Sequence, residues 1–234
     1  MVPEASTHFV IPQPPVVSVP VAGTLERFPV RRVYCVGRNY ADHAREMGHD
    51  PDREPPFFFT KAAQCLVTDG GVFPYPTISK DVHHEVELVV ALKAGAANVD
   101  PADALALVYG YAAGIDFTRR DMQAQAKAKG HPWEMSKSFD HAAAIGALAP
   151  ADEIGHPAGG RICFEIDGQV RQDGQIEQMI WSVPEVLAHL SRMVTLAPGD
   201  LIYTGTPAGV GPVERGNKLV GRIDGVGSVE TTVV

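Results

Sequence analysis

Short apolar runs, broken every few residues by glycine or proline, dominate the chain. Residues 85–92 (Glu-Val-Glu-Leu-Val-Val-Ala-Leu) alternate acidic and apolar positions and then turn continuously apolar, the pattern of a strand with one end at a polar site. Apolar runs at 32–36 and 108–115 predict two more strands, the second closed by Asp116, and Phe57-Phe58-Phe59 predicts a buried strand running into Lys61. Helical spacing is found at 41–47, ending at Gly48, at 118–129, where Asp116 or Thr118 could cap, and at 183–194, which is amphipathic. A shorter helix at 100–107 starts from Asp100 as N-cap with Pro101 at the first helical position. Residues 161–171 around Asp167-Gly168 read as a hairpin, 201–234 as strands and turns, 70–76 as a turn-rich link and 50–56 as a charged, proline-bearing loop. The segment 9–27 reads as extended pieces, 16–19 before 21–24, forming a small hairpin. The pattern predicts a strand-rich α+β fold with an extended arm over 1–30 and one domain over 31–234.

Composition agrees: 19 prolines and 23 glycines in 234 residues exceed what a helical bundle carries, and 45% hydrophobic residues suffice for a proper core. A net charge of -8 without any basic run argues against a nucleic-acid partner, whose phosphates demand clustered Lys and Arg. It leaves room for a small anionic substrate held by a few local arginines. Cys35, Cys65 and Cys163 are odd in number and have no metal or disulfide spacing, which suits a reducing cytoplasm. Prolines at 3, 12, 14, 15, 20 and 29 interrupt any signal-peptide core, and no uninterrupted 18-residue apolar run predicts a membrane span.

Chemistry concentrates in the acidic strand. On a strand Glu85 and Glu87 share a face roughly 7 Å apart, and two carboxylates in a partly dry place repel unless a proton or a cation compensates. Asp116, ending its own apolar strand, is the natural third ligand, and three carboxylates suit Mg2+ or Mn2+ better than zinc. The same Glu-x-Glu pattern also describes an ordinary solvated strand face. His43 and Glu46, three apart on a helix, share a face, so the carboxylate can orient the imidazole; the same pattern fits a surface helix. Arg120 and Gln123 likewise share a face and, with Lys137, could donate to a developing alkoxide. Charge statistics alone place Arg120 in a salt bridge and Lys137 in solvent. Arg38, in a Gly-Arg-Asn turn, and Thr206, in a glycine-rich turn, are the candidates for substrate carboxylates. His83, His84 and His131 are not needed as ligands.

Five blocks carry a family resemblance. Gly37-Arg38-Asn39-Tyr40-Ala41-Asp42-His43, His84-Glu85-Val86-Glu87-Leu88, Gly114-Ile115-Asp116-Phe117-Thr118-Arg119-Arg120-Asp121, Ser136-Lys137-Ser138-Phe139-Asp140 and Tyr203-Thr204-Gly205-Thr206-Pro207 resemble, in order, the signature blocks of the fumarylacetoacetate hydrolase family over roughly residues 32–234. Within it, 38–47, 55–61 and Gln178-Met179-Ile180-Trp181-Ser182-Val183-Pro184 look most like bacterial fumarylpyruvate hydrolases. The resemblance implies a mixed β-sandwich roll with small flanking helices, usually a homodimer. It further implies Glu85, Glu87 and Asp116 as metal ligands, His43 and Glu46 as a water-activating dyad, and Arg120, Gln123 and Lys137 at the oxyanion positions. The implied substrate is a small acidic diketone, an acylpyruvate such as the fumarylpyruvate of gentisate catabolism. Decarboxylation or isomerisation of a keto diacid by the same enolate chemistry is the enzymatic alternative, and structural cation binding without catalysis the non-enzymatic one. Where the family commonly has Lys-Pro, this chain has Lys61-Ala62, which predicts a less rigid backbone there.

Overall fold

A computed structural model of the chain describes residues 9–46, 54–68 and 70–234. Residues 1–8 of the expected arm, the predicted helix end at Met47 and Gly48, and 50–53 of the predicted loop lie outside the described residues. Two mixed β-sheets pack face to face. The larger runs in the order Phe57–Lys61, Arg32–Gly37, Asp200–Tyr203, Val86–Leu92, Val108–Asp116, Ala143–Ile145 and Leu66–Val67, with Ala149–Pro150 also paired to Val108–Asp116. The smaller runs Gln169–Gln175, Arg161–Ile166, Lys218–Ile223, Gly227–Val233 and Val72–Phe73. The expected α+β, strand-rich roll with few small helices is what the chain adopts.

The acidic-apolar strand owes its central place to the parity of its side chains. Val86, Leu88, Val90 and Leu92 point into the core between the sheets, where they join Ile162, Phe164, Leu219 and Val229. Val89 and Ala91 point the other way, into a second core closed by Val19, Val21 and Phe28 of the N-terminal arm. Each fully buried aliphatic side chain contributes about 1.5–3 kcal/mol, so the strand is fixed from both faces. Glu87 belongs to the same parity as Val89, which puts its carboxyl at the end of the second face and leaves none of the acidic side chains in the inter-sheet core.

The arm forms a hairpin, but its strands are Ser18–Pro20 and Arg27–Pro29, so the second strand falls later than the expected 21–24. Residues 70–76 were expected as a link; Val72–Phe73 instead adds a parallel edge strand to Gly227–Val233. The phenylalanine run forms the strand Phe57–Lys61, yet Phe57, Phe58 and Phe59 are only half-buried, because the strand lies at the open edge of the larger sheet. Hydrophobicity marked the strand, and edge position decided the burial. Around Asp167 (φ 52°) and Gly168 (φ 76°) the predicted hairpin joins Arg161–Ile166 to Gln169–Gln175.

Helix Val183–Met193 starts with a capping box between Ser182 and Glu185 and buries Val183, Val186, Leu187 and Leu190, the spacing of one face. Helix Arg120–Lys129 ends at Gly130 in the left-handed conformation, as glycine permits. Neither predicted cap serves it: the N-cap is Arg119, since Asp116 and Thr118 are both engaged elsewhere. Among the described residues no helix is long and apolar enough to cross a membrane.

Candidate metal centre and active site

Sheet register brings the three acids together. Asp116 ends the strand antiparallel to Val86–Leu92, in which Ile115 faces Val86, and its N-H donates to the Glu85 carbonyl at 2.8 Å. One carboxylate oxygen each from Glu85, Glu87 and Asp116 lies within 4.8 Å of the other two, and all three residues are buried. Lys137 Nζ sits 2.8 Å from Glu85 Oε2 and 2.8 Å from Asp116 Oδ2. Arg120 Nη2 lies 2.5 Å from Glu85 Oε1, which also accepts from Thr118 Oγ1.

The salt bridge expected of Arg120 therefore exists, whereas the solvent position that charge statistics gave Lys137 is wrong. Lys137 ends the short helix Glu134–Lys137 and is buried with two carboxylates as partners, the condition under which a lysine can leave water. Burial alone would discharge it, but Asp116 and Glu85 overcome that and raise its pKa. Burial would equally raise Glu85, and there Lys137 and Arg120 win and hold the carboxyl well below its ordinary value.

Glu87 is different. Among the described residues its carboxylate has no cation partner and accepts one hydrogen bond, from Gly205 N-H at 2.7 Å. Burial, followed by the charges of Asp116 and Glu85, pushes its pKa well above the usual carboxylate range. A buried carboxylate aimed at two others and short of positive charge, in a donor set made only of oxygens, fits a hard divalent cation. Gly205 has φ 99°, and a Cβ there would come within 2.7 Å of the Asn39 Cβ, so the donor turn needs a glycine.

Beneath the acids lies Lys61, fully buried, with Nζ 2.7 Å from Asp116 Oδ1, in ion-pair range though off the angle of a hydrogen bond. The same ammonium donates to the carbonyls of Phe117 and Ala142, at 3.1 and 2.9 Å, and to that of Lys137. The expected looseness at Lys61-Ala62 is not found: Ala62 N-H donates to Ser138 Oγ at 2.9 Å, a bond proline could not make. Lys61→Met is expected to lower the unfolding free energy by about 3–5 kcal/mol, since it strips Asp116 of one counter-charge and takes a donor from three buried carbonyls, of which, among the described residues, only that of Ala142 keeps another, the Phe117 N-H. A urea midpoint unchanged from wild type would contradict this.

Above the centre opens a cleft with about 440 Å³ of space, its open mouth included, lined by His43, Glu85, Glu87, Arg120, Gln123, Lys137, Arg38 and Thr206, and walled by Phe57, Phe59 and Trp133. Of the ten residues singled out in the sequence, eight line this cleft. Asp116 lies at its floor with the other acids, and Glu46 stands behind His43. His43 Nδ1 is 3.3 Å from Glu46 Oε2; a carboxylate only accepts, so Nδ1 carries the proton and Nε2 is the basic nitrogen. Burial lowers the His43 pKa, partly offset by Glu85 and Glu46, so the imidazole is neutral at pH 7. Gln123 Oε1 accepts from Arg120 Nη1 at 2.8 Å, which leaves its NH2 to donate.

Arg38 sits at the cleft mouth in a left-handed conformation, φ 60°. Its neighbour Asn39 donates to the carbonyls of Trp181 and Thr204 and accepts from Trp181 N-H, so the turn is locked to the 204–206 loop. Thr206 Oγ1 accepts from Gln172 Nε2 at 2.7 Å, and its own hydroxyl hydrogen is then free for a ligand. Gln172 also accepts from His84 and from Val86 N-H, tying the acidic strand to that loop. Sequence reasoning missed Asn39 and Gln172 as organisers and left Lys61 without a role. A glutamine in a polar hairpin carries no local signal that it is fully buried. Outside the acid cluster, His83 pairs with Asp81, and His84 stacks on Phe164.

Known proteins resemble this chain in sequence and fold. The family model for the fumarylacetoacetate hydrolase C-terminal region matches residues 32–234. The crystal structure of fumarylpyruvate hydrolase from Pseudomonas aeruginosa in complex with Mn2+ and pyruvate superposes with TM-score 0.94 at 47% identity, covering 97% of this chain and 99% of that one. Fumarylpyruvate hydrolase of a Ralstonia species is 41% identical over 189 residues, 80% of this chain and 98% of the relative. The mitochondrial oxaloacetate tautomerase of Mus musculus is 38% identical over 203 residues, 87% of this chain and 91% of the relative. The chain thus belongs to the fumarylacetoacetate hydrolase family.

Proposed function

We propose that this chain is a divalent-metal-dependent acylpyruvate hydrolase that splits fumarylpyruvate into fumarate and pyruvate. The observation that carries the reading is one cleft holding both a buried all-carboxylate cluster, with Glu87 short of positive charge, and a neutral histidine backed by a carboxylate. The Pseudomonas relative, described with Mn2+ and pyruvate, supports it, since pyruvate is one half of the cleaved substrate.

In this reading Glu85, Glu87 and Asp116 hold Mg2+ or Mn2+, which when bound supplies a Lewis acid for the 2-keto acid end of the substrate. His43 Nε2 takes a proton from water as its oxygen attacks the distal ketone, and Glu46 keeps the imidazole in the tautomer that can do so. Arg120, Gln123 and Lys137 present donors to the alkoxide that develops on that ketone. Collapse of the alkoxide breaks the carbon-carbon bond, and the protonated His43 returns its proton to the carbon of the departing pyruvate. Arg38 and Thr206 hold substrate carboxylates. The family likeness further supports a homodimer in the cytoplasm, with 31–234 as the catalytic domain and 1–30 as an appended arm.

Incubation with fumarylpyruvate and Mg2+ or Mn2+ is expected to bleach the enol absorbance and release fumarate and pyruvate in equal amounts, and EDTA to stop it. The tautomerase named for the mouse relative marks the rival chemistry. If oxaloacetate is decarboxylated or tautomerised while fumarylpyruvate yields no fumarate, the hydrolase reading is wrong.

A further inference from the structure

The charges along helix Arg120–Lys129 divide into an inner and an outer set. Arg120, Gln123 and Lys127 line the cleft from a single face of that helix, spaced by three and four residues. Seven residues advance roughly 10 Å along a helix axis, so Lys127 stands well outward of Arg120. The inner cations are spent: Arg120 and Lys137 both pair with Glu85. The outer ones are not. Among the described residues neither Lys127 nor Arg38 is held in an ion pair, although the protein carries a net charge of -8.

Both outer cations instead rest on aromatic rings. Lys127 Nζ lies 5.1 Å from the centroid of Trp133, and the Arg38 guanidinium 5.4 Å from that of Phe57. Those rings meet edge to face with centroids 5.3 Å apart, so one rigid aromatic pair sets the two cations about the mouth. Inward, Phe59 continues the wall beneath Lys137, whose Nζ is 5.0 Å from its ring. The cleft therefore reads, from floor to mouth, as acids for a cation, donors for an alkoxide, a flat aromatic wall and two positive charges with no ion-pair partner among the described residues. Burial, with Arg120 and Arg38 adding to it and Glu85 partly offsetting it, also holds the Lys127 ammonium below its ordinary value.

We infer that Lys127, together with Arg38, is a clamp for a carboxylate at the far end of the substrate's acyl group, so the substrate class is planar acylpyruvates that end in a carboxylate. The inference rests on the acylpyruvate reading and adds which acyl groups are accepted. Lys127 is a specificity-determining residue in it, remote from the bond that breaks. Its exposed position at the mouth makes Lys127→Met, which keeps the aliphatic stem on Trp133, a substitution the fold tolerates.

The test compares fumarylpyruvate with acetylpyruvate, which lacks the distal carboxylate, in the Mg2+-loaded protein. Lys127→Met is expected to lower the ratio of the two kcat/KM values by at least about tenfold, chiefly through KM for fumarylpyruvate, and Lys127→Arg to restore most of it. An unchanged ratio in Lys127→Met overturns the clamp. A binding measurement separates the clamp from the hydrolase reading: 2-oxoadipate and 2-oxohexanoate share the keto-acid head and differ in the distal carboxylate. Preference for the diacid in wild type, lost in Lys127→Met, upholds the clamp even if no acylpyruvate is hydrolysed, and that outcome would sink the hydrolase reading alone. Equal affinity of the wild type for both overturns the clamp whatever the turnover.

Discussion

Glu87→Gln is expected to raise the melting temperature of the metal-free protein while abolishing its stabilisation by Mg2+ and cutting fumarylpyruvate turnover by about a thousandfold. The two effects have one cause. Glu87 is a buried carboxylate near two others, without a cation partner among the described residues, and its single donor, Gly205 N-H, is as well satisfied by an amide oxygen. Its folded-state pKa is raised, so the folded protein binds more protons here than the unfolded chain. Ionising Glu87 therefore costs stability as pH rises from the unfolded carboxyl value towards the raised one. A neutral isostere removes that cost, and the gain grows with pH across this window. In a domain of this size each kcal/mol shifts Tm by about 2–4 °C. The same substitution removes a charged ligand, and losing the ion's several kcal/mol of charge stabilisation means roughly three decades in rate. Asp116→Asn makes the contrast. Asp116 neutralises Lys61 and Lys137, so its amide leaves two buried ammonium groups under-compensated, and the metal-free protein is expected to melt lower. Melting curves with and without Mg2+, at two pH values, read both signs; a fall in metal-free Tm for Glu87→Gln would contradict the assigned charge balance.

That balance also marks where the sequence stopped being legible. Parity along 85–92 was enough to put Glu85 and Glu87 on one face, because a strand's period of two follows from backbone geometry alone. An acid at the end of an apolar strand was enough to suggest Asp116, because sheet ends are where side chains leave the core. The His43–Glu46 and Arg120–Gln123 pairs follow from helical spacing in the same way. Burial of cations was not legible. Lys137 looks like a surface lysine and Lys61 like the end of a strand; the first is buried because Glu85 and Asp116 reach it from other segments, the second because Asp116 and three carbonyls do. Gln172 is invisible for the same reason: its partners His84, Val86, Thr206 and Pro207 come from two other segments. The phenylalanine run erred in the opposite sense. Apolar composition predicts a buried strand, but the sheet places it at an edge, where Phe58 packs on the core and the rings of Phe57 and Phe59 become the wall of the cleft.

His43→Ala is expected to lower carbon-carbon hydrolysis by about 10²- to 10⁴-fold while leaving the Mg2+-dependent rise in Tm intact. Hydrolysis needs a base for water, and the His43 ring, buried and neutral with Nδ1 committed to Glu46, is the group in the cleft suited to be one. In the proposed reading metal binding rests on Glu85, Glu87 and Asp116, none of which hydrogen-bonds to that ring. Decarboxylation of oxaloacetate requires an electron sink and no attacking water, so any such side activity is expected to survive the substitution. The pH profile carries the same argument. Because burial sets the folded pKa of His43 below the ordinary imidazole value of about 6.5, kcat/KM is expected to stay level above that value and to fall with decreasing pH only below it. Glu46 raises that pKa by its hydrogen bond and charge, so Glu46→Gln is expected to move the acid limb to still lower pH while reducing the plateau, since the tautomer is no longer fixed by a carboxylate. An acid limb that stays in place in Glu46→Gln, or full hydrolysis by His43→Ala, would remove this pair from the reaction and leave the water to be activated by another group.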